Sequence, residues 1–465
     1  MGMGEQLVAR YCDLGGKVSE ESKKLWAIVG PAILTQTVTY SLNIISQAFA
    51  GRLGELELAS VSFACTVLAG FNYGLLVLRS LSSSLGSDIY ISSDDPNSCY
   101  DLVKLGMASA LETLCGQAYG ATRFHMMGVY MQRSWIVLFM CAVLLLPTYI
   151  FAEHIFLLTG QSPEVSKMAG QVSVWFIPLH FSVAFLFPLQ RFLQCQMKNF
   201  VNTVAAAVAL CIHVFISWLF VSRLKFGLVA VALTLGFSWW VITVMLFAYV
   251  ACGNCPETWH GFSVEAFTGL WEFVKLSAAS GVMLCLENWY YRILILLTGN
   301  LKNGAVAVDA LSICVRVANE LGAGNGKGAR FSAIVSSSTS VMIGLFFCML
   351  ITVLHRKIAF IFTTSVIVLD AVDKLSILLS LTILLNSIQP VLSGVAVGSG
   401  RQSTVAYINI ACYYVIGLPM GILLERLLNL GVMGIWAGMI SGTAVQTLIL
   451  AVITIRCNWE KQSRN

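Results

Sequence analysis

The sequence predicts an all-α polytopic membrane protein, organised as two pseudo-symmetric bundles of about six helices each, and three observations carry that expectation. Apolar residues make up 57% of the 465 and charged residues only 11%, whereas an ordinary soluble domain carries ~25% charge. Uncharged apolar runs long enough to cross ~30 Å of hydrocarbon recur along the whole chain. Short motifs of the first half return in the second, as in chains built from two related helix bundles. So little charge cannot coat a soluble globule of this size, which excludes a globular enzyme and a disordered chain. The net charge of +5 is spread thinly and forms no basic run that could track a phosphate backbone, so no nucleic-acid partner is expected.

The elements follow in order. Residues 1–24 are polar, hold Arg10, Lys17, Lys23 and Lys24, and contain no signal-peptide core. They read as a cytoplasmic N-terminal tail, and the first span itself directs insertion. Apolar runs then occupy 25–50, 56–78, 105–118, 126–152, 168–189, 200–221, 227–251, 271–298, 304–318, 331–354, 366–395, 403–424 and 431–455. Two of them, 105–118 and 304–318, fall below the ~17-residue minimum for a span. The first of these continues 56–78 beyond a serine-rich, acidic interruption that runs from Arg79 through Asp94-Asp95-Pro96-Asn97 to Lys104. The count is therefore twelve nominal spans, with the second interrupted and the eighth shortened. The corresponding domains are an N-lobe over 25–251 carrying the polar insertion 79–104, an inter-lobe loop over 252–270, a C-lobe over 271–456 and a C-terminal tail over 457–465. With the N-terminus inside, cytoplasmic segments hold roughly twice the Lys and Arg of the opposite side, which places both termini in the cytosol.

Internal repetition sharpens the two-lobe reading. Ala110-Leu-Glu112-Thr-Leu-Cys-Gly116-Gln117-Ala-Tyr-Gly120-Ala121 is echoed by Ala318-Asn-Glu320-Leu-Gly-Ala-Gly324-Asn325-Gly-Lys-Gly328-Ala329 at an offset of 208. Pro188 pairs with Pro390 at 202, and Gly227-x-x-Ala230-Val231 with Gly431-x-x-Gly434-Ile435 at 204. Gly51-Arg-Leu-Gly54 closes the first span as Gly299-Asn-Leu301 closes the seventh, yet Gly51 to Glu112 is 61 residues and Gly299 to Glu320 only 21. One half has gained residues near 79–104, and the other has lost about half a span near 314–315.

Ionisable groups inside spans are costly and are functional candidates by default. Glu287 lies deep in an apolar run with Arg292 five residues on. It reads either as a structural ion pair or as a cation-coupling carboxylate whose burial raises its proton affinity. Asp309, midway through the short eighth run, is the second cation-coupling candidate. Glu112 and Glu320 sit beside Gly116/Gly120 and Gly324/Gly328, where glycine permits close approach and helix termination; with Gln117 and Asn325 they form repeat-motif residues of gating or structural role. Asp370 and Asp373 open the tenth span, where the helix dipole favours acids. Gln36, Tyr40 and Asn43 fall at i, i+4, i+7 on the first span, and Trp289, Tyr290 and Tyr291 crowd the seventh. These side chains line an amphipathic substrate cavity suited to flat or cationic ligands, or else bridge helices and form an interfacial belt. His180 and His213 are isolated and read as core hydrogen-bonding residues. Cys252-Gly-Asn-Cys255 is an unaccompanied C-x-x-C in a loop, so no metal site is expected. The sequence has no nucleophile elbow, P-loop or HExxH motif, so neither an enzyme nor an ATP-driven pump is expected, and no cofactor.

Taken together, Gly30-Pro31-Ala32, the Ser109–Ala121 motif, Pro188-Leu-Gln-Arg-Phe-Leu-Gln194, Arg316-Val-Ala-Asn-Glu320-Leu-Gly-Ala-Gly-Asn325 and Gln389-Pro-Val-Leu-Ser-Gly-Val395 resemble plant members of the multidrug and toxic compound extrusion (MATE) family. The resemblance runs from about residue 20 to 460. It implies twelve helices in two lobes around a central cavity, monomeric in the vacuolar or plasma membrane. It implies cation-coupled antiport, driven by protons or sodium, of organic cations, flavonoids, alkaloids or other small-molecule metabolites. The family's seventh-helix coupling carboxylate carries over onto Glu287, while its tenth-helix acid falls here on Asn386, close to Gln389 on the cavity side. Family members also continue from Leu75-Leu76 almost directly to Gly106-Met107 and hold a further apolar stretch between Cys314 and Val315. Two other readings stay open: an anion-conducting channel on the same scaffold, and a nonfunctional truncated isoform.

Overall fold

A computed structural model describes residues 3–54, 56–61, 64, 102–158, 162–277, 280, 316–362, 366–428 and 432–463. Every regular element among them is helical. In chain order these are α1 (Met3–Leu53), α2 (Leu102–Gly120), α3 (Phe124–Ile150), α4 (Ala152–Leu158), α5 (Pro163–Trp175), α6 (Ile177–Cys195), α7 (Asn199–Ser217), α8 (Gly227–Tyr249), α9 (Gly326–Phe362), α10 (Val366–Gly398), α11 (Gln402–Asn409), α12 (Leu418–Leu428), α13 (Val432–Arg456) and α14 (Trp459–Gln462). Wider π-helical turns extend α7 and α8 and join α11 to α12. Eight of the described helical stretches are long and apolar enough to cross a bilayer, or nine if the bent pair α5–α6 is one broken span. The expected second, seventh and eighth spans lie largely outside the described residues, as do residues 79–101 of the insertion and the 314–315 junction.

Three features here were not part of the sequence expectations. The polar N-terminal tail is helical and continuous with the first span from Met3 to Leu53. Its acids precede its bases by four residues, in the favourable orientation, and Asp13–Lys17 (2.6 Å) and Glu20–Lys24 (2.8 Å) pair along the exposed face. The run expected as one span over 168–189 is broken at Phe176, where α5 and α6 bend by 49°. Pro178 stands in the first turn of α6 and cannot supply the amide that would continue α5. The inter-lobe loop, finally, folds back onto the N-terminal half, through contacts described below.

The described chain forms two compact units, one gathering residues 3–30 with 316–463 and the other holding 31–280. The division cuts α1 at Pro31, whose carbonyl accepts from the hydroxyls of Thr35 (2.8 Å) and Thr203 (2.9 Å) in the second unit. In that unit α2 packs on α3 and α6, and α8 lies against α6 and α7. In the other, α9 packs on α10, α10 on α13 and α12 on α13. The last pair approaches closely because glycines face it: a Cβ on Gly434 would come within 2.8 Å of the α12 backbone. Leu25, Val317, Leu321, Val391, Val395 and Trp459 form the core of this unit near both chain ends.

The repeat exists in the backbone, but in another register. After α2, Thr122 adopts a left-handed conformation (φ +57°) and α3 begins at Phe124. The helix over 316–322 is followed by left-handed Gly324 (φ +73°), and α9 begins at Gly326. The closing hydrogen bonds correspond one for one: Ala121, Thr122 and Arg123 amides to Gln117, Tyr119 and Ala118 carbonyls, against Ala323, Gly324 and Asn325 amides to Asn319, Leu321 and Glu320. That is an offset of 202, not 208. The turns after α6 and α10, with Met197 (φ +62°) and Gly400 (φ +79°) left-handed, correspond at 203. Glu112 and Glu320 are therefore not equivalent: Glu112 lies two turns inside α2, and Glu320 stands in the last turn of its helix. The 208 match rested on shared Gly and Ala, which are common in tightly packed helices, whereas the chain turns where the hydrogen bonds and the left-handed residue place it.

Candidate functional site

Glu287, Asp309, Trp289, Tyr290 and Tyr291, together with Arg292, lie outside the described residues. Of the other expected cavity residues, Gln36 and Asn43 are half-buried and Tyr40 is exposed, on α1 in the unit of residues 31–280. In the other unit Asn386 is half-buried and Gln389 fully buried on α10. Gln389 donates from Nε2 to the Ser393 hydroxyl (3.1 Å), one helical turn on and across Pro390, and its Oε1 accepts no hydrogen bond among the described residues. A buried amide held on one side only keeps an acceptor available.

The repeat-motif residues assemble into two charge clusters, one in each unit. In the first, the Glu112 carboxylate is wholly buried on α2 and faces Arg191 of α6 (3.4 Å). Arg191 is turned toward Gln194, to whose Oε1 it donates (2.6 Å), while the Cys195 thiol donates to the Glu112 carbonyl (3.4 Å). Neither Glu112 carboxylate oxygen accepts a hydrogen bond among the described residues, so the pair is held by charge and packing. Gly116 is buried one turn further along, and the Gln117 carbonyl and Gly120 form the end of α2.

In the second cluster Arg316 sits between two acids. It pairs with Glu320 one turn ahead (2.5 Å) and with Glu21 of α1 through two nitrogens (2.9 and 3.0 Å). Glu320 also accepts from Asn325 Nδ2 (2.8 Å), and Asn325 Oδ1 in turn accepts from the Gly328 amide (2.9 Å). Asn325 is thus the N-cap of α9, aimed by Glu320, and each link satisfies a group that would otherwise be orphaned. Gly324 supplies the left-handed residue, and at Gly328 a side chain would collide with Asn325 and Glu320. The cluster ties the N-terminal helix, the turn before α9 and α9 itself into one unit. Charges so buried are held only while each keeps its partner.

Sequence reasoning missed Arg191, Arg316 and Glu21 as partners. Arg316 was legible, since it precedes Glu320 by four residues on a helix. Arg191 was visible only as a charge at the end of an apolar run, and nothing local marked Glu21, whose partner lies almost 300 residues away. Both isolated histidines are hydrogen-bonded in the interior. His213 lies between Ser46 (3.0 Å) and Ser238 (2.9 Å), and His180 reaches the Ala142 carbonyl (3.1 Å). No group of three or more metal-ligating side chains occurs among the described residues.

This geometry has counterparts among known proteins. The MatE family profile matches residues 100–219 and 279–423, more than half of the chain. Among Arabidopsis thaliana proteins, Protein DETOXIFICATION 27 is 58% identical, the alignment covering 97% of this chain and 91% of that one. Protein DETOXIFICATION 26 is 53% identical over 95% and 89%. Among solved structures, the eukaryotic MATE transporter AtDTX14 superposes with a TM-score of 0.76 at 32% identity, covering 96% of this chain and 98% of that one. A MATE protein in the bent conformation superposes at 0.78 with 14% identity, over 96% and 97%, which supports the fold alone. A polytopic helical chain with these motifs and these relatives belongs to the MATE family of secondary membrane transporters.

Proposed function

We propose that this chain is a proton-coupled antiporter that moves organic cations, flavonoids or similar metabolites out of the cytosol, by efflux or by vacuolar sequestration. The observation that carries the reading is Glu287, a carboxylate deep in the apolar run 271–298 of a MATE-family chain, with no charge between Lys275 and itself, and five residues before Arg292. A buried carboxylate takes up a proton readily and can trade it against a cationic substrate in the same cavity. Asn386, where a second acid is expected, leaves the coupling to Glu287, with Asp309 as the second candidate. Gln36, Tyr40, Asn43, Trp289, Tyr290, Tyr291, Asn386 and Gln389 supply the polar and aromatic lining. The chain works as a monomer with both termini in the cytosol, and alternating exposure comes from rocking of the two lobes. The Glu112–Arg191 and Glu21–Arg316–Glu320 clusters keep each half rigid while it rocks. Residues 79–104 are an insertion that the transport cycle tolerates.

The test is pH-gradient-driven uptake of a fluorescent organic cation into proteoliposomes. Uptake by the chain that is abolished in Glu287→Gln supports the reading. Substrate-independent current without proton movement would replace it with a channel, and uptake that follows a sodium gradient instead would reassign the coupling ion.

A further inference from the structure

The connector between the two halves lies along α3 with its backbone turned inward and its apolar side chains outward. The Thr258 carbonyl rests on Gly128, where a Cβ would come within 2.6 Å, and the Thr258 hydroxyl donates to Gln196 (3.0 Å). Gln132 clasps the next turn with both ends of its amide, donating to the Gly261 carbonyl (3.0 Å) and accepting from the Ser263 amide (2.8 Å). Arg133 donates to the Glu265 carbonyl (3.2 Å) and to the Thr268 hydroxyl (3.4 Å). Ala266 and Phe273 point into the protein. Facing away from it are Phe262, Val264, Phe267 and Trp271, which are 78, 83, 66 and 74% exposed. Four large apolar side chains within ten residues of a non-spanning segment are not the surface of a loop in water.

The level at which the connector is clasped identifies what covers it. Arg133 is the last charge on α3 before the uncharged stretch 134–150, which rises about 25 Å as a helix and so nearly fills the hydrocarbon layer. Arg133 therefore marks the boundary between hydrocarbon and headgroups, where aromatic rings are favoured. A chain of ring contacts also links the connector to the span, by way of the buried Trp135. Phe262 lies 6.4 Å from Trp135, Trp135 lies 6.3 Å from Phe185, and Phe185 lies 6.1 Å from Phe139, ring to ring. Phe139 and its neighbour Met140 are exposed on the membrane-crossing part of α3.

We propose that residues 261–271 lie in the headgroup layer of the bilayer, with Phe262, Val264, Phe267 and Trp271 inserted among the first acyl carbons of glycerophospholipids. Gln132 and Arg133 hold the backbone in place, and the exposed Glu265 and Glu272 remain at the aqueous face. The connector is then an interfacial anchor of the first half rather than a slack linker.

The full chain, reconstituted in phosphatidylcholine vesicles, would be photolabelled with a phospholipid bearing a diazirine near its carbonyl. In parallel it would be labelled with a water-soluble diazirine, and both samples mapped by peptide mass spectrometry. Lipid labelling of the 256–275 region at a level comparable to that of 137–145, with several-fold weaker aqueous labelling, is expected. Aqueous labelling without lipid labelling would overturn the proposal. So would protection from both probes, which would mean that protein, such as a second copy of the chain, covers the surface. The triple variant F262S/F267S/W271S should lose lipid labelling of the connector several-fold while α3 is labelled as before. Unchanged connector labelling in that variant would show that these side chains do not carry the insertion, and if the variant does not fold, the two probes on the unaltered chain decide.

Discussion

The turn from α2 into α3 and the turn into α9 follow the same backbone path, hydrogen bond for hydrogen bond, and yet are stabilised by different means. Into α9, a left-handed glycine is followed by an asparagine that caps the helix and is itself aimed by Glu320, with Arg316 and Glu21 completing a three-charge cluster. Into α3, a left-handed threonine is followed by Arg123, whose side chain makes no cap, and the buried acid Glu112 sits two turns away, paired with a neighbouring helix. The two turns share the geometry that a chain reversal requires. Their charges differ, because a turn's path is set by its own backbone bonds while an ion cluster depends on whichever elements lie alongside. The contrast also locates the charged fastening of each half: between α2 and α6 in one, and across α1 and the turn before α9 in the other.

Substitutions in the two turns and in the ion clusters beside them would break or sharpen this comparison, the largest expected effect coming from Arg316. Arg316→Met strands Glu21 and Glu320 together, and losing the partner of a buried charge costs ~3–5 kcal/mol. A marked drop in melting temperature in detergent, partly restored by adding Glu21→Gln, is expected; wild-type melting would mean the cluster holds nothing together. Arg191→Met strands one acid rather than two, so the loss should be nearer ~2–3 kcal/mol. Glu112→Gln combined with Arg191→Met should melt close to the unaltered chain. Equal losses at Arg316 and Arg191 would contradict the two-acid against one-acid contrast.

The turn residues should differ in sign. Gly324→Ala forces a side chain into a left-handed conformation and should cost ~1–2 kcal/mol, whereas Thr122→Gly should relieve strain and gain a few tenths, read as opposite shifts in melting temperature. Asn325→Ala removes a cap worth ~1 kcal/mol. Arg123→Asn, supplying the cap that the first turn lacks, should give back a smaller amount. If Arg123→Asn leaves the melting temperature unchanged, the two turns are less alike than their hydrogen bonds indicate.

Much of the fold was legible because it follows from composition and period. Long uncharged runs marked the spans, and the run expected from residue 227 begins where α8 does, at Gly227. Other features were hidden for stated reasons. The helix over the N-terminal tail carries the exposed i, i+4 pairs Asp13–Lys17 and Glu20–Lys24, a helical pattern that hydropathy does not register. The break at Phe176 comes from Pro178 inside a run that hydropathy treats as continuous. Of the candidate site, the acids and glycines were visible as residues out of place, but their partners were not. Arg191 and Glu21 reach their acids from other helices, and no local pattern marks such a meeting.

By itself the sequence determined that this protein is helical, membrane-spanning, built from two related halves and akin to MATE transporters, because bilayer length, apolar composition and motif chemistry are all written along the chain. Tertiary structure alone decided the register of the repeat, the partners of Glu112 and Glu320, and the course of the connector along α3. These depend on which backbone groups close a turn and which surfaces meet once the helices pack, and neither is a property of any one segment.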